Sequence, residues 1–447
     1  MKLSGQSKPK SYSRWLKLVA VGLLARLLLS FWTGSPYDFE VFIRVGYFVA
    51  NGTSPTLSRY PFVPGLGQPI YPYVLGLGYL PAWGLCLALA FKVYGIFPFS
   101  PYFYYFLIKL LPILADLATA YVIYLLIVNS RGSVEKAEKA SLIFFLCPFV
   151  VFMSSVWGMF DSIPIFFTLL SLLLILSDKT RWSAISLGFG IYFKVMPIIY
   201  LPIQLFFVSR KKGLKETITY LLIALAVPFL LTLIPLVFYR WPVSETAVTV
   251  LSQTSKAGEG LSYWNIGSLL KEALPNMITQ ESLNSFFAFP LIRYLWILGL
   301  MSGYLLYYEY QRNVTRNQAE NLDLLLKGFS ITTIGFLLTR TFIPEQFVLY
   351  LLSTIVMLSS KSIQTYFKHV WIITLAFVFA NVYPFAFAYL VNMNFWTVFN
   401  YLATTQPFST LRYAMRFIIA VLFDYILLRL ILRMVRNDEK TVPDYEE

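Results

Sequence analysis

About a dozen apolar stretches run the length of this chain, and short clusters of Lys and Arg separate them. This alternation limits the fold more than any other feature, because an apolar run of roughly 20 residues is what it takes to cross a bilayer as a helix. The runs fall near 14–33, 102–128, 140–156, 162–177, 182–193, 197–208, 216–238, 290–309, 328–341, 346–359, 370–391 and 409–431. With 58% hydrophobic and 13% charged residues, too little polar chain remains for a water-soluble domain. The pattern predicts an all-α polytopic membrane protein, a single integral membrane domain over 1–447. The first run follows Lys2, Lys8, Lys10 and Arg14 without a small-residue cleavage site, which reads as a retained signal-anchor.

The net charge of +14 does not point to nucleic acid, because the cations are not gathered on one soluble patch. They recur between the runs, at Arg131, Lys136 and Lys139; at Lys179 and Arg181; and at Arg210, Lys211, Lys212 and Lys215. Further groups are Arg312, Arg316 and Lys327; Lys361 and Lys368; and Arg429, Arg433 and Arg436. This is the positive-inside pattern, so their partner is the anionic cytoplasmic membrane face. Cys86 and Cys147 both lie in apolar segments, which argues against a disulfide framework, and the lone His369 rules out a histidine-cluster metal site.

Taking the cationic clusters as inside leaves 34–69 outside, as the first extracytoplasmic loop. The segment 66–101 must then begin and end outside, as a hairpin broken at Pro81 between Pro72–Leu80 and Ala82–Tyr94. Half-length spans also meet at Pro197 and at Pro344, and broken helices at membrane depth line cavities. The expectation is about 11–14 transmembrane or half-membrane helices around a cavity that opens to the outer side. The polar stretch 241–289 reads as a large outer loop with short helices, and 436–447 as a disordered cytoplasmic tail.

Four clusters of unusual residues share that outer side. Asp38 and Glu40 follow the first span, with Arg44 four residues after Glu40. On a helix the two acids point about 200° apart, so at most one pairs with Arg44 and the other is left for a cavity. Asp161, in the turn Trp157-Gly-Met-Phe-Asp161-Ser162, suits a helix N-cap and equally an anion-binding helix start. Lys194 lies inside an apolar run beside Pro197, where a lysine costs roughly 2.5–3.5 kcal/mol on insertion scales and needs a partner. Arg340, Glu345 and Gln346 flank Pro344, where Arg340 and Glu345 pairing with each other is the simpler reading. Lys109 and Asp116 are two turns apart on one helical face and read as a structural ion pair. Together the clusters supply carboxylates that can take a proton from a hydroxyl and cations that can hold a phosphate.

Asp38-Phe-Glu-Val-Phe with Phe48-Val-Ala-Asn-Gly52-Thr-Ser-Pro55 resembles the first luminal loop of the catalytic subunit of the first GPI mannosyltransferase. It also resembles the Asp-aromatic-Glu loop of dolichyl-phosphate-glucose glucosyltransferases; both belong to the GT-C superfamily. Trp157-Gly-Met-Phe-Asp161 is similar to the Trp-Gly-Gln-Phe-Asp turn of prokaryotic members, with Met159 in place of the Gln. Phe193-Lys194-Val-Met-Pro197 resembles their Lys-x-x-Pro element, and Pro344-Glu345-Gln346-Phe347 their late Gln-aromatic element. The matches run in family order from about residue 38 to residue 350.

The resemblance implies a glycosyltransferase that moves a hexose, mannose first, from a dolichyl- or polyprenyl-phosphate donor to a lipid-linked glycan on the extracytoplasmic side. It makes Asp38 the general base of an inverting displacement, with Glu40 beside it. Lys194 and Arg340 become ligands for the donor phosphate, Asp161 and Gln346 ligands for substrate hydroxyls, and Glu345 and Arg44 further members of the same substrate-binding set. A divalent ion shared by Asp38 and Glu40 is compatible with their spacing, although no further ligand for it stands out. Two readings compete: a secondary transporter or lipid flippase, which also uses broken helices and buried charge, and a transferase acting on protein. The triplet Asn51-Gly-Thr53 matches a glycosylation sequon.

Overall fold

Helices form over nearly all of the apolar runs, and Pro or Gly marks where most of them begin or break. The computed structural model describes residues 10–55, 60–61, 73–74, 77–244, 247, 259–312 and 317–436. In order, these form α1 (Lys10–Ser30), α2 (Pro36–Ala50), α3 (Ala82–Ile96), α4 (Pro101–Arg131), α5 (Val134–Phe145), α6 (Pro148–Val151), α7 (Ser162–Leu176), α8 (Thr180–Phe193) and α9 (Leu201–Phe238). There follow α10 (Ile266–Ala273), α11 (Gln280–Ala288), α12 (Pro290–Arg293), α13 (Leu295–Arg312), α14 (Gln318–Thr339), α15 (Val348–Ile355), α16 (Lys361–Asn381), α17 (Asn394–Thr404) and α18 (Phe408–Arg436). Among the described residues, extended structure amounts to two ladders: Tyr60–Pro61 antiparallel to Tyr73–Val74, and Glu259–Gly260 parallel to Phe342–Ile343.

The protein is a polytopic helical membrane protein. Among the described residues, four segments are long and apolar enough to cross a bilayer: Tyr102–Arg131, Met196–Phe238, Gln318–Thr339 and Lys361–Asn381. A fifth is the bent pair Val134–Phe145 and Pro148–Trp157, which turns by 48°. The second half of α9 shows how the surface suits lipid: Leu222, Leu225, Phe229, Leu230, Ile234 and Val237 are all exposed, an arrangement that water would penalise and hydrocarbon does not.

Two expectations need correction. The stretch 34–69 is not simply loop, because α2 forms within it; its inner face (Phe39, Phe42, Val45, Val49) is buried and the helix packs along α3. Pro72–Leu80 is not a half-helix: Tyr73–Val74 is extended, and helix begins only after Pro81. The runs 197–208 and 216–238 remain two helical stretches, as expected, and α9 is broken between them at Gly213, whose φ of 79° admits few residues but glycine. Beyond Arg436, the tail lies outside the described residues.

The chain divides into two compact units. The first comprises Met1–Ile198, Ile218–Val250 and Phe385–Trp396. Within it α4 packs against α1, α3, α5 and α7, and α7 against α8, around buried Trp83, Tyr104, Ile123, Leu126, Phe149 and Met153. The second comprises Ile199–Thr217, Leu251–Pro384 and Thr397–Glu447. There α13 lies along α14 and α18 along α16, over Leu325, Phe329, Ile355, Phe377 and Phe423. The α13–α14 approach depends on glycine. A Cβ on Gly299 would stand 2.2 Å from the Gly335 carbonyl oxygen, and one on Gly303 would stand 2.8 Å from the Thr332 Cα. Gly299-x-x-x-Gly303 is the small-residue spacing that lets membrane helices meet backbone to backbone.

Candidate active site

Pro36 starts α2 at its first position, where its missing N–H costs nothing and its fixed φ is already helical. Asp38 therefore falls in the first turn, where the helix dipole favours a negative charge. Its side chain is half-buried, and Oδ2 accepts two hydrogen bonds, from Ser35 Oγ at 2.7 Å and from Trp157 Nε1 at 2.7 Å. Glu40 points the other way and forms a buried ion pair with Arg44, one turn on. The helical geometry read from the sequence thus separates the two acids, and Glu40 is the one that takes the arginine. Among the described residues, no group of three or more His, Cys, Asp or Glu side chains is placed to hold a metal ion.

Trp157 reaches Asp38 because the chain before it widens into a single π-helical turn, Phe152–Trp157. Such turns insert an extra residue and redirect side chains, and they concentrate at functional sites. The indole is wedged against Phe387 and Phe152, at 5.5 and 6.1 Å between ring centres. Gly158 follows with φ 87°, and a Cβ there would lie 3.1 Å from Lys109 Cε. The left-handed backbone therefore requires glycine in the Trp-Gly-x-Phe-Asp turn, and the space beside Lys109 is tight.

Asp161 ends that turn at the N-cap position of α7, but its side chain makes no capping hydrogen bond. It turns instead to Lys194, Nζ to Oδ1 at 2.7 Å, and both residues are buried. Asp161 Oδ2 is buried and has no hydrogen-bond partner among the described residues. Lys194 sits at the C-cap of α8 with extended backbone, its ammonium 5.3 Å from the Tyr79 ring and 5.5 Å from Phe160. Phe160 in turn stacks on Trp83 at 4.6 Å. The lysine's partner inside the apolar run is thus an aspartate in an aromatic surround, and the pair is formally neutral.

Lys109 and Asp116 do not pair with each other. Lys109 Nζ donates to carbonyl oxygens of Thr33 (2.5 Å), Ser155 (2.8 Å), Ser30 (3.3 Å) and Val156 (3.3 Å), and lies 3.3 Å from Thr33 Oγ1. Asp116 instead takes Arg26 Nε at 3.2 Å, Ser154 Oγ at 2.6 Å and the Ser162 hydroxyl. The pairing expected from one shared helical face fails because the π-helical turn brings two consecutive residues, Ser154 and Ser155, against different levels of α4. The Ser154 side chain meets the acid, and the Ser155 carbonyl meets the ammonium.

The remaining expected residues belong to the second unit. Arg340 caps the C-terminus of α14, its guanidinium 5.0 Å from the Phe336 ring and 5.5 Å from Phe347. Glu345 and Gln346 are buried in a 3₁₀ turn, Glu345–Phe347, that leads into α15. The Glu259–Gly260 ladder pins this break: Leu261 N donates to Ile343 O at 2.8 Å, and Ser262 Oγ to Arg340 O at 3.3 Å.

No protein-family model and no curated protein sequence matches the chain. Among solved structures it is similar to ArnT from Cupriavidus metallidurans bound to undecaprenyl phosphate. The two superpose with a TM-score of 0.50 at 13% identity, over 97% of this chain and 81% of that one. The likeness shows the fold. The polytopic helical membrane architecture expected from the sequence is therefore the one this chain adopts.

Several polar residues escaped the sequence reading. Arg26 lay unmarked in the first apolar run, although a buried guanidinium there demands an acid. On α18, Arg412 donates to Asn381 O at 3.0 Å, Arg416 to Asn265 Oδ1 at 3.4 Å, and Asp424 accepts from Tyr263 N at 3.1 Å. Their spacing of four and eight places all three on one helical face, and charges along one face of an apolar helix are the signal that could have found them.

Proposed function

We propose that this protein is a membrane glycosyltransferase that moves a sugar from a polyprenyl-phosphate donor to a hydroxyl of an acceptor. The observation that carries this reading is Asp38, a half-buried carboxylate held through one oxygen by Ser35 and Trp157. A general base must be fixed in direction and remain reachable, and a half-buried carboxylate oriented by two side-chain donors on a helix's first turn meets both demands. The fold likeness to ArnT, whose structure holds undecaprenyl phosphate, supports a lipid-phosphate donor.

In the reaction, Asp38 accepts the proton of the acceptor hydroxyl as that oxygen bonds to the anomeric carbon. The bond from that carbon to the phosphate oxygen breaks, its electron pair leaves on the polyprenyl phosphate, and the anomeric configuration inverts. Glu40, turned to Arg44, acts by holding α2 rather than by a second proton transfer. Lys194 contacts the donor phosphate from its place beside Asp161. The assignment of Arg340, Glu345 and Gln346 to substrate rests on the motif order alone. Mannose, a lipid-linked glycan acceptor and an extracytoplasmic site follow from the GPI-mannosyltransferase-like loop and the cationic clusters.

The test is transfer of label from polyprenyl-phosphate mannose and polyprenyl-phosphate glucose to a mixture of lipid-linked acceptors, with purified wild type beside Asp38→Asn. The variant is expected to fold normally and lose ~10²–10⁴-fold in kcat, the usual contribution of a positioned base. Wild-type transfer by Asp38→Asn overturns the base assignment. Turnover of neither donor by folded wild type shifts the reading to the transporter or flippase.

A further inference from the structure

Asp38 is held by two side chains that arrive on separate segments: Ser35, just past the end of α1, and Trp157, at the end of the π-helical turn. Side-chain hydrogen bonds fix a carboxylate only as well as the backbones behind them are fixed. Lys109 ties those two backbones to each other. On one side its ammonium takes the carbonyls of Ser30 and Thr33, the latter two residues before Ser35. On the other it takes the carbonyls of Ser155 and Val156, the latter immediately before Trp157.

Smaller contacts complete the splice. Thr33 Oγ1 lies 3.3 Å from Ser155 O, Ser35 N donates to Trp157 O at 3.4 Å, and Gly34 N to Phe387 O at 2.9 Å, on the residue that packs the indole. Lys109 is fully buried, and each of these contacts is to a neutral oxygen. Burying an ammonium without a counter-ion is expensive. Four carbonyls aimed at one nitrogen give it the surround that a small cation would require, at a point where two helix ends leave carbonyls unsatisfied. A methionine would fill the same space and pack as well in an apolar helix, but it would leave those carbonyls unpaired and the two segments unjoined.

We infer that Lys109 is a positioning residue for the proposed reaction: it sets the orientation of Asp38 by clamping together the segments that carry Ser35 and Trp157. This rests on Asp38 being the base, and the experiment keeps the two ideas apart. Label transfer from polyprenyl-phosphate mannose is measured with Lys109→Met, Trp157→Phe, the double variant and Asp38→Asn, per mole of folded protein. Lys109→Met is expected to lose ~10²-fold in kcat, the scale of a misplacement of about 1 Å, with the donor KM within about twofold of wild type. Trp157→Phe should add little further loss in the Lys109→Met background, because both changes release the same carboxylate.

A Lys109→Met protein with reduced thermal stability but wild-type kcat overturns the inference, and so does full additivity with Trp157→Phe. Should Lys109→Met fail to fold, Lys109→Gln, which keeps two donor hydrogens, is read in its place. An intermediate kcat loss with the same non-additivity supports the clamp, and a wild-type kcat refutes it. An inactive Asp38→Asn beside an unimpaired Lys109 variant removes the clamp alone, whereas an active Asp38→Asn removes the base reading itself.

Discussion

Breaking the Asp161–Lys194 pair should cost more than deleting it whole. The two charges lie 2.7 Å apart, with side chains 0% and 4% exposed. At an effective dielectric near 20 their attraction is ~6 kcal/mol, set against a desolvation cost of several kcal/mol per ion. Removing one partner leaves the other buried without its counter-charge, so each single change is expected to destabilise by ~3–5 kcal/mol. Replacing both by apolar groups of similar size, as in Asp161→Leu with Lys194→Met, should cost ~2 kcal/mol or less, giving a coupling energy above ~2 kcal/mol.

The surroundings also set an order. Lys194→Met leaves a buried carboxylate whose Oδ2 already has no partner among the described residues. Asp161→Leu leaves an ammonium with the Tyr79 and Phe160 rings at 5.3 and 5.5 Å, which offset part of the loss by ~0.5–1 kcal/mol or more. Lys194→Met should therefore be the less stable of the two. The assay is equilibrium unfolding of the four proteins in a mixed-detergent titration, followed by tryptophan fluorescence. A double variant whose loss equals the sum of the singles, or singles within ~0.5 kcal/mol of wild type, would refute the reasoning.

Two further expectations follow from the geometry. Gly299→Val should destabilise the second unit by more than ~2 kcal/mol, since its Cβ would overlap the Gly335 carbonyl, and unfolding midpoints in detergent would register it. Glu40→Gln should remove the counter-charge of the buried Arg44 ion pair and lower thermal stability, yet the protein that remains folded should keep most of its kcat; a ~10²-fold fall in kcat at normal stability would instead make Glu40 a catalytic group.

Much of the site was legible because its signals are local. Asp38 and Glu40 had to diverge on any helix, and Glu40 duly met Arg44 four residues on. Lys194 announced a partner by lying in an apolar run, and Pro marked the breaks at 81, 197 and 344. The readings that failed were those needing to know which segment lies beside which. Lys109 and Asp116 share a helical face, and from the sequence their mutual attraction was the cheapest way to satisfy both. A π-helical turn from elsewhere in the chain offered each a better partner.

The amino-acid sequence by itself determined that this chain lives in a membrane, roughly where most of its apolar helices lie, and which charges had to be satisfied inside. Those follow from transfer free energies and backbone hydrogen bonding, which act on each residue and its near neighbours. Only the tertiary structure decided who satisfies whom: Trp157 and Ser35 on Asp38, Asp161 on Lys194, Arg26 on Asp116, and four carbonyls on Lys109. A buried charge demands a partner without naming one, and the choice falls to whichever groups packing brings within about 3 Å.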